Sequence, residues 1–163
     1  MYEESYSDLL RYVRRRGHPS VVEDVVAETF AIAWKKRRTL PSEPRGWLFL
    51  TASNVLKIAH RGQARQLGIA IRSYEPDVGP DLDSDLDLIA AWRALSHIDQ
   101  EVLALHFWEG LSDREGAQVL RCTRSAYAMR LTRAKHRLAN SVRDRGLSVT
   151  AVTACLRVKE VAS

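Results

Sequence analysis

Cysteine is nearly missing from this sequence: 163 residues hold two thiols, Cys122 and Cys155. Two thiols so far apart make no disulfide scaffold, and neither lies in a metal-ligating spacing. Long apolar runs are missing too. None approaches the ~18–20 residues that cross a bilayer, and the opening M-Y-E-E-S-Y-S-D is acidic and polar, unlike a signal peptide. These absences predict a cytoplasmic protein with no membrane insertion and no metal. Glycine (8) and proline (5) are scarce while hydrophobic residues reach 45%, which excludes global disorder and favours helix. No stretch alternates with period two, so no strand is expected.

Catalytic patterns are lacking as well. His18, His60, His97, His106 and His136 are scattered, and no two are spaced with a glutamate between them as a zinc protease requires. There is no phosphate loop of the form G-x-x-x-x-G-K-S/T and no G-x-S-x-G nucleophile elbow. Acids concentrate in a Gly/Pro/Asp-rich stretch where no rigid frame would hold a general acid and base in register. The run D-L-D-S-D-L-D starts like a calcium loop, but Leu86 and Trp92 stand where glycine and glutamate are needed. The expectation is a protein that is not an enzyme and takes no cofactor.

What is present is charge in blocks. Residues 1–72 hold 13 Lys/Arg and 7 Asp/Glu, residues 73–92 hold 6 acids and no base, and residues 93–163 hold 12 bases and 7 acids. Two basic lobes flank an acidic strip, a layout suited to two polyanion-binding modules on one linker. The predicted fold class is all-α: two small helical domains, residues 1–63 and 87–142, joined by an acidic flexible linker over 64–86, with a tail over 143–163 that is a short helix or disordered.

In the first lobe, Tyr6, Leu9, Leu10 and Val13 recur at helical spacing, and Gly17 and Pro19 break that helix. Ser20 is placed to cap the next, with Glu23 at the capping-box position and an apolar stripe of Val22, Val26, Phe30 and Ala33. The loop T-L-P-S-E-P follows. A third helix begins near Arg45, with Trp47 and Phe49 read as core and with Asn54, Lys57 and Arg61 on a polar edge. From Gly62 the helical pattern fails.

The most informative stretch is Trp108–Leu138. Gly110 can end one helix in a left-handed cap. Ser112 and Glu115 form a capping box for a short helix ending near Leu120. Thr123 then caps a longer helix carrying Arg124, Arg130, Arg133, Lys135 and Arg137, with no acid before Asp144. Short helix, tight turn and longer basic helix make a helix-turn-helix. A basic helix in that place suits phosphates and base edges. On these residues alone a stand-alone dimeric helix-turn-helix transcriptional regulator fits as well as any other reader of DNA, and a solvated basic face fits too.

At two separated places the chain resembles the extracytoplasmic-function (ECF) group of bacterial RNA polymerase sigma factors. V-V-E-D-V-V-A-E-T-F-A-I-A-W, residues 21–34, is similar to that family's polymerase-clamp-binding helix, and P-R-G-W-L-F-L-T-A-S-N-V-L, residues 44–56, to its minus-ten-reading segment. D-Q-E-V-L-A-L-H-F-W-E-G-L-S-D-R-E-G-A-Q-V-L, residues 99–120, with A-Y-A-M-R-L-T-R-A-K-H-R-L, residues 126–138, is similar to its minus-thirty-five-reading domain. The resemblance implies core RNA polymerase and promoter DNA, duplex and single-stranded, as partners, and often an anti-sigma factor. It implies polymerase contacts at Glu23, Asp24 and Glu28. Minus-ten contacts would fall at Arg38, Thr39, Leu40, Ser42, Asn54, Lys57 and Arg61, and minus-thirty-five contacts at Thr123, Arg124, Ser125, Arg130, Arg133 and Arg137. The chain departs from the family at Gly116 (usually isoleucine or alanine), Arg121 (usually glycine), Tyr127 (usually small and β-branched), and Ala128 and Ile58 (usually polar).

Overall fold

The structure, a computed structural model, describes residues 2–66 and 86–146. Seven α-helices and one 3-10 turn form two compact units, and there is no strand among the described residues. The protein is all-α, as its sequence predicts. The acidic stretch between the units falls mostly in residues 67–85 and the tail in 147–163, both outside the described residues.

The first unit packs α1 (Tyr2–Arg16), α2 (Val22–Lys35) and α3 (Arg45–Gln66) pairwise against one another. Its centre is Tyr12, whose ring meets the Phe49 ring edge-on at 5.0 Å, with Leu9, Val13, Val25, Val26, Ala52 and Leu56 around the pair, all buried. An edge-to-face pair at that distance adds about 0.5–1.5 kcal/mol to the gain from burial. Tyr12 therefore takes the place expected of Tyr6, which lies at the rim stacked on Phe30 at 5.9 Å. Phe49 is core as expected; Trp47 is only half-buried. The Arg16 guanidinium lies 3.9 Å above the Tyr12 ring and donates to the Tyr12 carbonyl at 3.2 Å. Asp8 ties α1 to α3 by accepting from Arg11 at 2.6 Å and Arg45 at 3.1 Å.

Two local expectations are corrected. Ser20 does not cap α2. Residues Pro19–Val21 form a 3-10 turn whose cap is His18, its Nδ1 accepting from the Ser20 amide at 3.3 Å, and α2 begins after Val21 with no side-chain cap. Proline favours the first position of a helical turn, so the turn starts two residues earlier than the capping box suggests, its cap at His18 instead of Ser20. The second correction is at Gly62, where the sequence pattern fails but α3 continues to Gln66. One glycine in a helix costs about 1 kcal/mol, which an already propagating helix absorbs.

The second unit consists of α4 (Leu86–Arg93), α5 (His97–Phe107), α6 (Asp113–Val119) and α7 (Arg124–Asp144). Here α7 packs on both α4 and α5. Trp92 is 1% exposed and stacks on Trp108 at 4.9 Å. Buried Gln100 sends its amide nitrogen to the carbonyls of Trp92 and Leu95, both at 3.1 Å, supplying donors that the end of α4 lacks. Ser96 caps α5 by accepting from the Asp99 amide at 3.2 Å.

Asp99 itself is buried, its side chain 5% exposed, and both of its oxygens accept from Nη1 of Arg137 at 2.9 and 2.7 Å. Arg137 thus fastens α7 to α5. Without that cation a buried carboxylate keeps its desolvation cost and loses its charge-assisted bonds. Replacing Arg137 with alanine is expected to lower unfolding stability by about 2 kcal/mol, whereas Arg133→Ala, at an exposed site, changes it by less than about 0.5 kcal/mol. Urea denaturation midpoints of the two variants check this; equal stabilities would remove Arg137 from the framework.

Candidate nucleic-acid interface

The helix-turn-helix is assembled by local hydrogen bonds that the sequence announces. Gly110 has φ +57°, which lets the Leu111 amide turn back to the Leu105 carbonyl at 3.0 Å. Ser112 and Glu115 close a reciprocal box: the Glu115 Oε2 accepts from the Ser112 amide at 2.8 Å and from its hydroxyl at 2.7 Å, while the Glu115 amide donates back to Oγ at 3.3 Å. Thr123 caps α7 by accepting from the Ala126 amide at 3.2 Å. Between the helices the chain turns at Arg121, whose φ of +52° is left-handed. A side chain held there costs of order 1 kcal/mol that glycine would not.

Two departures from the family pattern are one device. The Tyr127 ring is fully buried between α6 and α7, and a Cβ added at Gly116 would overlap that ring, coming within 2.6 Å of its hydroxyl. The absent side chain at Gly116 is the space that Tyr127 fills. The Tyr127 hydroxyl donates to the Val102 carbonyl at 3.4 Å, joining α7 to α5 as well. Burial, reinforced by Asp113 and Glu101, pushes this phenol far above its ordinary range, so it remains a neutral donor.

With Tyr127, Leu131, Ala134 and Leu138 on the inner face of α7, the opposite face is fixed by the helical period. It presents Arg124, Ser125, Met129, Arg130, Thr132 and Arg133, all exposed. The basic side chains divide. Arg124, Arg130 and Arg133 face solvent. Arg137 is paired with Asp99, and the Lys135 ammonium sits 3.0 Å from His106 Nε2 and 5.4 Å from the centre of the Phe107 ring, so both turn back toward α5. Thr123 has its oxygen committed to the cap, 3.2 Å from the Ser125 hydroxyl.

The first unit carries its own polar and apolar features. Glu23, Asp24 and Glu28 are exposed on α2, the first two in its opening turn, where negative charge suits the helix dipole. On α3, Asn54 and Lys57 are half-buried and Arg61 is exposed, with Ile58 standing 69% exposed among them. Arg38, Thr39 and Ser42 are exposed and Leu40 half-buried in the α2–α3 loop, where the Thr39 hydroxyl donates to the Lys36 carbonyl at 3.1 Å. Beside this loop lies a cleft of about 220 Å³ lined by Phe30, Ala33, Trp34, Leu40, Pro44 and Leu48, with Ser5 and Arg37 at its edge. Trp34 is 69% exposed and the Arg37 guanidinium sits 4.7 Å from its ring centre. The sequence reading found the loop but missed the cleft. Its signal is Trp34, an aromatic off the α2 stripe that stays largely exposed.

Among the described residues no helix is long and apolar enough to cross a membrane, and no three histidine, cysteine or acidic residues gather as a metal site. Residues 1–66 match the family Sigma-70 region 2. No curated protein matches the chain. Among solved structures the fold is similar to the sigma factor RpoE from Bartonella quintana, crystallised with the anti-sigma factor NepR, with a TM-score of 0.58, 23% identity, and coverage of 85% of this chain and 92% of that one. It is also similar to CnrH in complex with the cytosolic domain of CnrY, with a TM-score of 0.54, 20% identity, and coverage of 88% and 83%.

The Gly116–Tyr127 fit predicts a sign reversal. In an ordinary helix Gly→Ala adds about 1 kcal/mol. Here Gly116→Ala is expected to cost about 1–3 kcal/mol through overlap with the ring, and to become neutral or stabilising once Tyr127→Val has removed it. A double-mutant cycle from denaturation curves measures the coupling; additive effects would mean that the two positions do not interlock.

Proposed function

We infer that this chain is a sigma factor of the ECF group, which joins core RNA polymerase and directs it to promoters. One observation carries the reading: a Sigma-70 region 2 in residues 1–66 and a helix-turn-helix with a basic outward helix share one chain. A stand-alone repressor needs a dimer face or a ligand domain beside its reading head, and a region 2 is neither. The protein acts by binding, not by turnover.

The division of labour follows from charge and shape. Glu23, Asp24 and Glu28 form the acidic face of α2 that pairs with a basic surface of the polymerase clamp. Arg124, Ser125, Arg130 and Arg133 on α7 enter the major groove of the minus-thirty-five duplex, Arg124 and Ser125 at the helix N-terminus nearest the bases and Arg133 toward phosphate. Thr123 supports them as the cap. Arg137, held by Asp99, serves the framework instead of the DNA.

In the first unit, Asn54, Lys57 and Arg61 meet the DNA just upstream of the opened minus-ten element. Arg38, Thr39, Leu40 and Ser42 border the place where one base of the non-template strand is drawn out. Extruding a base costs a few kcal/mol of stacking, which an aromatic wall restores. The Phe30–Trp34–Leu40 cleft beside the loop offers such a wall. The solved neighbours are in complex with an anti-sigma factor and with a cytosolic domain of another protein; a protein partner of that kind fits this chain too.

Affinity capture with core polymerase followed by run-off transcription tests the assignment. Binding to a duplex operator as a dimer with no affinity for polymerase would sink it. Arg130→Ala is expected to lower promoter-specific transcription about tenfold, the loss of one base-reading pair, with polymerase binding intact. Glu28→Lys should do the reverse and weaken capture by polymerase first. A parallel loss in both assays for both variants would overturn the division.

A further inference from the structure

The pole of α7 directly opposite its buried stripe is occupied by a methionine. Met129 is 54% exposed, the only large apolar side chain the described residues of α7 leave in solvent. Its helical neighbours at i−4, i+3 and i+4 are Ser125, Thr132 and Arg133, all exposed and polar. The Arg133 Nη2 lies 3.9 Å from the Met129 sulfur. Thioether and guanidinium thus stand side by side on the outermost ridge of the helix, in its second turn, within the part of a recognition helix that reaches base edges.

We propose that Met129 is a specificity-determining residue that reads the C5-methyl group of a thymine in the duplex bound by α7. The proposal rests on the DNA-reading role of that helix. In the major groove guanine, cytosine and adenine present only donors and acceptors, while thymine adds a methyl. Arginine and serine have nothing to gain from that methyl. A flexible, unbranched, polarisable chain gains from it by shielding it from water. The Arg133 guanidinium beside the sulfur meets the adjacent phosphate, so the cation holds the register and the thioether makes the choice.

The test uses the holoenzyme, this chain with core polymerase. Minus-thirty-five duplexes are selected from a randomised pool, and each thymine of the selected duplex is then replaced by deoxyuridine, which removes the methyl and leaves every hydrogen-bonding atom. One replacement is expected to weaken binding about fourfold, the equivalent of one methyl group withdrawn from burial. Met129→Ala should bind the thymine duplex about fourfold more weakly and no longer distinguish it from the uracil duplex; Met129→Leu should keep the distinction. A selected duplex in which no thymine can be replaced at a cost overturns the proposal, as does a Met129→Ala protein that keeps the same thymine preference. Failure to select any duplex overturns it together with the sigma-factor reading, whereas selection without a methyl effect overturns the role of Met129 alone.

Discussion

What α7 shows to solvent is decided by how it is clamped on its inner side. Tyr127 fills the space above Gly116 and reaches the Val102 carbonyl, and about 15 Å further along, at about 1.5 Å of rise per residue, Arg137 grips the buried carboxylate of Asp99. One anchor is a shape fit and the other a charge pair. Both resist rotation of the helix about its own axis. Since side chains on opposite faces turn together, a helix fixed at Tyr127 and Arg137 is also fixed at Arg124, Met129 and Arg130.

Each unit is small, and small cores leave little apolar surface to spend. The first relies on Tyr12 against Phe49, the second on Trp92 against Trp108 with Tyr127 beyond. With so few large side chains inside, the remaining length of each helix is free to carry charge. That is why acids can line α2 while bases line α7 without either helix losing its place. It also accounts for Trp34 and Ile58 remaining outside: the three-helix core is complete without them.

The parts legible in the sequence are those whose physics is local. Gly110, the Ser112–Glu115 box and the Thr123 cap each involve residues three or so apart, and each forms as the pattern indicates. The positive φ at Arg121 was readable because the family places glycine there. What the sequence hid was partnership across the chain. Gly116 and Tyr127 look like two separate oddities until the ring is seen lying over the glycine. Arg137 reads as a phosphate contact, and its pairing with the buried Asp99 is not visible in the sequence. His18 outcompetes Ser20 because Pro19 starts a turn two residues early, and Gly62 stays helical because neighbouring turns carry it. Burial of Tyr12 instead of Tyr6 depends on where α3 puts Phe49, which no periodicity within α1 contains.

The fit of Tyr127 over Gly116 also puts an order on substitution at the two positions. A glycine at position 116 with a small residue at 127 loses some helix propensity and still folds. A tyrosine at 127 above a larger residue at 116 overlaps it and costs stability. Of the two orders of substitution, glycine before tyrosine is therefore the one that avoids the overlap. With the ring seated, the substitutions on this helix that leave the fit untouched are those on its outward face.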